Sequence, residues 1–139
     1  VNHCNFYIMK TIISLILILL SCFTTFSGCK KETRIERNLW KKRGYWNIES
    51  FQSSSNDTWN NCGFFLFDKH GGGTYVLNLD GIATVREFDY SLSPLGGPNS
   101  KLTLVFSSYT SEYIVEWDRN KIRLERVGSS VFFELKKEV

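Results

Sequence analysis

From Gly44 onward, apolar and polar positions alternate with a period of two. Leu102, Leu104 and Phe106 fall on one face, as do Tyr113, Val115 and Trp117, then Ile122 and Leu124, then Val131, Phe133 and Leu135. The alternation predicts eight short strands, at 44–52, 62–67, 74–79, 82–90, 101–107, 112–118, 121–127 and 130–136. Turn-forming residues separate several of them: Gly71-Gly72-Gly73, Asp80-Gly81, Arg119-Asn120 and Gly128-Ser129. No stretch of 44–139 repeats its apolar positions at helical spacing. Eight strands joined mostly by hairpins fit an all-β fold, an up-and-down antiparallel barrel, because closing the sheet removes its exposed edges. A two-sheet β-sandwich is the runner-up.

The pattern is different before residue 44. An apolar run from Ile12 to Leu20, broken by Ser14, follows Met9 and Lys10 and precedes the small residues Ser27 and Gly28. This order of charged, apolar and small residues is that of a secretory signal peptide. The run is too short to span a bilayer, which takes roughly 20 apolar residues. Residues 1–8 precede the only methionine and read as an over-extended start, so 1–28 are assigned to that start plus the signal peptide. Phe26-Ser27-Gly28-Cys29 resembles the bacterial lipobox, with Phe where Leu is usual. The resemblance implies a diacylglyceryl thioether on Cys29 and an acylated amino group. Two or three acyl chains anchor stably where one is marginal. Lys30 is not the Asp associated with inner-membrane retention, which points to a lipid anchor in the outer membrane of the cell envelope.

Charge and cysteine content fit this picture. Residues 30–43 hold seven Lys or Arg against Glu32 and Glu36, whereas 44–139 carry a slight negative excess, so the overall net charge of +3 arises beside the anchor. Anionic head groups attract such a segment, and 29–43 read as a lipidated basic tether with a short helical turn around 38–42. The domain proper is 44–139. With Cys4, Cys22 and Cys29 assigned to the start, the signal peptide and the lipid site, Cys62 is left alone, a small apolar core residue with no disulfide partner. The 15% aromatic content argues against disorder, and the length argues for one domain.

Gly44-Tyr45-Trp46 at the start of the first strand resembles the Gly-x-Trp signature of lipocalins. Asn61-Cys62-Gly63-Phe64, Asp68-Lys69-His70-Gly71-Gly72-Gly73-Thr74-Tyr75, Phe88-Asp89-Tyr90-Ser91 and Leu135-Lys136-Lys137 are similar to the small lipocalin-like lipoproteins of Bacteroidetes. The resemblance implies that Gly44 turns the chain tightly into the strand and that Trp46 plugs the barrel base. It also implies that Lys136 takes the place of the last-strand Arg that packs over that Trp in larger lipocalins. Their long C-terminal helix is not expected here, which argues against a large cavity.

Catalytic chemistry is poorly provided for, and no enzyme is expected. His3 falls in the over-extended start, and His70 sits in a glycine-rich turn, too little for a Ser-His-Asp triad or a zinc site. The Gly71–Gly73 run lacks the Lys and the helix of a phosphate loop. Glu112 and Glu116 share a strand face opposite the apolar one, where solvation is the better reading than paired carboxylates for glycoside hydrolysis. No metal or other cofactor is expected, and the acidic folded part disfavours nucleic acid. Binding is the expected role. Parity with Phe88 and Tyr90 turns Ile82, Thr84 and Arg86 inward, and Arg126 follows Ile122 and Leu124. An inward Arg needs an anionic partner, water or a route to the rim. The inward aromatics, Trp46, Tyr75, Phe88, Tyr90, Phe106, Tyr113, Trp117 and Phe133, leave room only for a small cavity near the mouth. Arg86, Arg126, Tyr90, Tyr113 and Trp117 are the candidate contacts for a small apolar or amphipathic, fatty-acid-like ligand. The competing reading is a structural or protein-interaction module with a filled barrel and no ligand.

Overall fold

The computed structural model describes residues 34–138. Eight strands follow one another: β1 (Tyr45–Gln52), β2 (Thr58–Phe67), β3 (Gly72–Leu79), β4 (Ile82–Pro94), β5 (Ser100–Val105), β6 (Thr110–Asp118), β7 (Lys121–Arg126) and β8 (Phe132–Lys137). Each pairs antiparallel with the next, and β8 returns to β1 to close the barrel. This is the up-and-down barrel that the alternation predicts. The sandwich is excluded, since β1 is hydrogen-bonded on both sides.

Two strands run well past their predicted limits. β2 starts at Thr58 because a bulge, with Asn61 at φ 51° and Gly63 at φ 149°, lets it continue past an irregular point. β4 reaches Pro94 because no turn residue interrupts it before Leu95-Gly96-Gly97. In β1 the register shifts between Ile48 and Ser50, so Trp46 and Ile48 face inward, and so does Phe51 rather than Ser50.

The interior is aromatic. Phe65, Phe67 and Trp46 are at most 1% exposed, and they pack with Ile48, Leu102, Leu104, Leu124 and Leu135. Phe133 touches the rings of Phe51, Phe65, Tyr75 and Tyr113, with centroids 4.7 to 6.4 Å apart. Fully burying one such side chain stabilises by about 1.5–3 kcal/mol, so the closely packed rings are the main source of fold stability.

The stretch expected to be a tether is folded from Arg34. Helix α1 (Arg34–Trp40) and a 3₁₀ turn (Lys42–Gly44) lie at the closed end of the barrel, and Leu39 is 0% exposed. The high charge of this segment hid one apolar side, Leu39 with Trp40, that packs on the core. Trp46 Nε1 donates to the Leu39 carbonyl oxygen at 2.9 Å, which joins helix to barrel base. Gly44, at φ 65°, is required there. A Cβ would stand 1.9 Å from the Phe67 carbonyl oxygen.

Candidate functional site

The two ends of the barrel differ. At the closed end are α1, the β2–β3 turn and the β6–β7 turn; at the open end are the β1–β2, β3–β4, β5–β6 and β7–β8 connections. The open end holds a cluster of phenols and guanidinium groups. Tyr75 is the cross-strand partner of Arg86, and Tyr113 that of Arg126, so each arginine lies beside a tyrosine on the inner face. Tyr109, in the β5–β6 connection, stacks on Phe106 at 4.6 Å, and Phe106 meets Tyr75 edge-on at 5.9 Å. Burial pushes the Tyr75 phenol up to about 12, with the neighbouring Tyr109 adding to the shift and Arg86 opposing it. Burial also raises Tyr113, and the positive charge of Arg126 partly offsets it. These hydroxyls therefore remain protonated donors at neutral pH, next to two fixed positive charges.

The wall is incomplete beside this cluster. β4 pairs with β3 over Ile82–Asp89 but with β5 only over Asp89–Pro94. The first half of β4 therefore faces the β5–β6 connection across a gap. A groove of about 380 Å³ there is lined by Arg86, Phe106 and Tyr109 among others, and one of about 490 Å³ below it by Gly73, Phe88 and Phe106. The gap explains why inward parity does not enclose the start of β4: Ile82 is 73% exposed, Thr84 half-buried and Arg86 exposed.

Of the five residues expected to share a ligand site, Arg86, Arg126 and Tyr113 gather at the open end. Tyr90 and Trp117 belong to the closed half. Tyr90 OH donates to the Asp68 carbonyl oxygen in the β2–β3 turn at 2.5 Å, and Trp117 pairs with Ile122 next to the β6–β7 turn. Chain direction separates them: residues four apart on one strand lie about 13 Å apart along it. Tyr109 was missed, because strand alternation says nothing about a residue in a connection.

At the base, Gly44 and Trp46 occupy the expected positions, but the cation over the indole is Lys137. Its Nζ lies 5.0 Å from the Trp46 ring and donates to the Asn38 carbonyl oxygen at 2.6 Å. Lys136 pairs with Asn47 on the outer face and is exposed. Cys62 is 5% exposed, and burial raises its thiol above the ordinary value. His70 is exposed in the β2–β3 turn at the closed end, where its backbone N–H donates to Asp68 Oδ1 at 2.7 Å. Glu112 pairs with Lys101 on the outer wall at 3.1 Å, and Glu116 is also exposed. Cys29 lies outside the described residues. Among the described residues, no group of three or more His, Cys, Asp or Glu is arranged to hold a metal ion.

The chain is similar in structure to a lipocalin-like protein from Bacteroides uniformis ATCC 8492. That likeness has 19% sequence identity, covers 68% of this chain and 96% of the other, and has a TM-score of 0.45. No protein-family model matches the chain, and no curated protein matches it.

Proposed function

We propose that this chain is a lipid-anchored protein of the bacterial outer membrane whose lipocalin-like barrel binds a compact amphiphile with an anionic head at its open end. The observation that carries the binding role is the pairing of Arg86 and Arg126 with the protonated phenols of Tyr75 and Tyr113 above an aromatic floor. Guanidinium and phenol groups are donors, so the complementary head group is an acceptor with negative charge, a carboxylate above all. The apolar part of the ligand has Phe106 and the groove beside β4 to lie against, since the interior below is occupied by side chains. The role is binding without turnover, because the cluster holds no nucleophile–base pair. The anchoring rests on the lipobox-like sequence ending at Cys29.

Titration of octanoate and of 1-octanol against the parent protein and the Arg86→Ala and Arg126→Ala variants tests the binding. Octanoate should bind saturably and 1-octanol about tenfold more weakly. At least one arginine variant should lose about tenfold, the equivalent of one charge-assisted hydrogen bond. No saturable binding by the parent would instead support the filled structural module. For the anchor, cells fed an alkynyl fatty acid should label the parent and not Cys29→Ala; equal labelling of both would overturn it.

A further inference from the structure

The open-end site leaves the opposite face of the barrel unexplained. Five cations of the folded N-terminal segment, Arg34, Arg37, Lys41, Lys42 and Arg43, are exposed at the closed end, and at the end of β8 the exposed Lys136 and the half-buried Lys137 join them. The same segments carry Glu36 and Glu138, and the β2–β3 and β6–β7 turns at this end add Asp68 and Asp118 against Lys69 and Arg119, so cations remain in excess. The ion pairs Lys101–Glu112, Lys121–Glu49 and Arg123–Glu134 lie on the barrel wall. Lys137 is driven below its ordinary value by burial and then by the charges of Lys42 and Lys41, with no carboxylate opposing them.

Lys42 and Arg43 have φ of 58° and 72°, immediately before Gly44 at 65°. Glycine and asparagine adopt this left-handed region far more readily than long side chains do. The tight turn they make leads into β1 and leaves both side chains exposed. Beside them lies a cleft of about 770 Å³ lined by Lys42, Arg43, Tyr45, Leu66 and Glu138. Tyr45 stacks on Phe64 at 4.9 Å, and Leu66 is 38% exposed, so the rim of the cationic face is apolar and aromatic. Cations bordered by an aromatic and an aliphatic residue suit the boundary between head groups and acyl chains.

We infer that the closed end of the barrel is a docking face for an anionic phospholipid bilayer, which holds the molecule with its open end turned away from the membrane. Charge complementarity selects this occupant, and only residues 30–33 separate the expected anchor at Cys29 from the first cation of the face. This rests on the anchor proposed above: a chain held at Cys29 brings the base near the bilayer, and the cations convert that nearness into one orientation.

The test uses the full chain with its own N-terminal segment, reconstituted into vesicles of phosphatidylcholine with or without phosphatidylglycerol, plus a nitroxide head-group quencher. A fluorescent noncanonical residue is placed at Asn120, in the β6–β7 turn at the base, or at Ser54, in the β1–β2 connection at the mouth. Phosphatidylglycerol should quench the probe at 120 and leave that at 54 bright. High salt should reverse the effect, because surface charges are screened beyond roughly 3 Å at 1 M. In Lys41→Gln/Lys42→Asn/Arg43→Asn, with asparagine chosen to keep the left-handed turn, quenching at 120 should become insensitive to phosphatidylglycerol. Each lost cation weakens docking about fivefold. Quenching at 120 that ignores phosphatidylglycerol and salt in the parent, or that is matched or exceeded at 54, would overturn the inference.

Discussion

At the scale of single residues, the base of the barrel turns on Trp46. Its ring is buried, its Nε1 holds the Leu39 carbonyl, and Lys137 covers its face. Trp46→Ala should cost about 3–5 kcal/mol in urea unfolding. Trp46→Phe should cost less, since it chiefly leaves the Leu39 carbonyl without its donor, about 1–3 kcal/mol. The Gly-x-Trp resemblance set Lys136 over this ring, whereas the lysine that lies there is Lys137. The parity of Val131, Phe133 and Leu135 already pointed to 137, the next inward position, while 136 belongs to the outer face. At the mouth, Tyr75 sets an alkaline limit. Its phenol is raised to about 12 in the fold, whereas an unfolded tyrosine titrates near 10. The unfolded chain therefore releases that proton first, so the stabilisation is whole below pH 10 and is lost as pH rises towards 12. Thermal melts should show stability falling between pH 10 and 12, and falling less steeply in Tyr75→Phe. An equal slope in both proteins would remove Tyr75 as the cause. Lys137 acts in the opposite sense, because its lowered value makes the half-buried ammonium a cost at neutral pH that fades as pH approaches about 10.5.

At the scale of elements, β4 is the strand whose sequence and placement diverge most. Its alternation reads as uniform from Ile82 to Tyr90, yet its first half has a neighbour on one side only. Strand identity was legible because parity is local. The gap was not, because it depends on where β5 stops, at Val105, and on the turn that Phe106 and Tyr109 make: the Phe106 N–H donates to the Tyr109 carbonyl oxygen at 2.8 Å. Helix α1 was obscured for a related reason. Nine charged residues over 30–43, seven of them Lys or Arg, dominate its sequence, while its apolar residues, Ile35, Leu39 and Trp40, span too short a stretch to repeat a helical period. Amide exchange should expose the asymmetry of β4. The N–H groups of Ile82–Glu87 that point away from β3 should exchange orders of magnitude faster than those of Tyr90–Ser93, which lie between two paired strands. Uniform protection along β4 would mean that the gap closes in solution.

At the scale of the whole molecule, the barrel separates two chemistries by about the length of its strands: cations and an apolar rim at the closed end, phenols and arginines at the open one. Between them the interior is filled with packed, buried rings. The same filling ties stability to closure. β8 is the last strand made and the one that pairs back to β1, and Phe133 near its start contacts rings from β1, β2, β3 and β6. Until β8 docks, β1 and β7 each keep an open edge and Phe133 leaves a hole among those rings, so partly closed forms have little to stabilise them. Folding should therefore be all-or-none and slow, in the millisecond-to-second range of β-rich chains with distant pairings. Phe133→Ala should lower stability by about 3–5 kcal/mol. It should also leave the transition single, with tryptophan fluorescence, which reports Trp40, Trp46 and Trp117 near the base and Trp59 near the mouth, coinciding with far-ultraviolet circular dichroism at every urea concentration. If the fluorescence transition separates from the dichroism, the two ends unfold independently and the ring cluster around Phe133 is not what joins them.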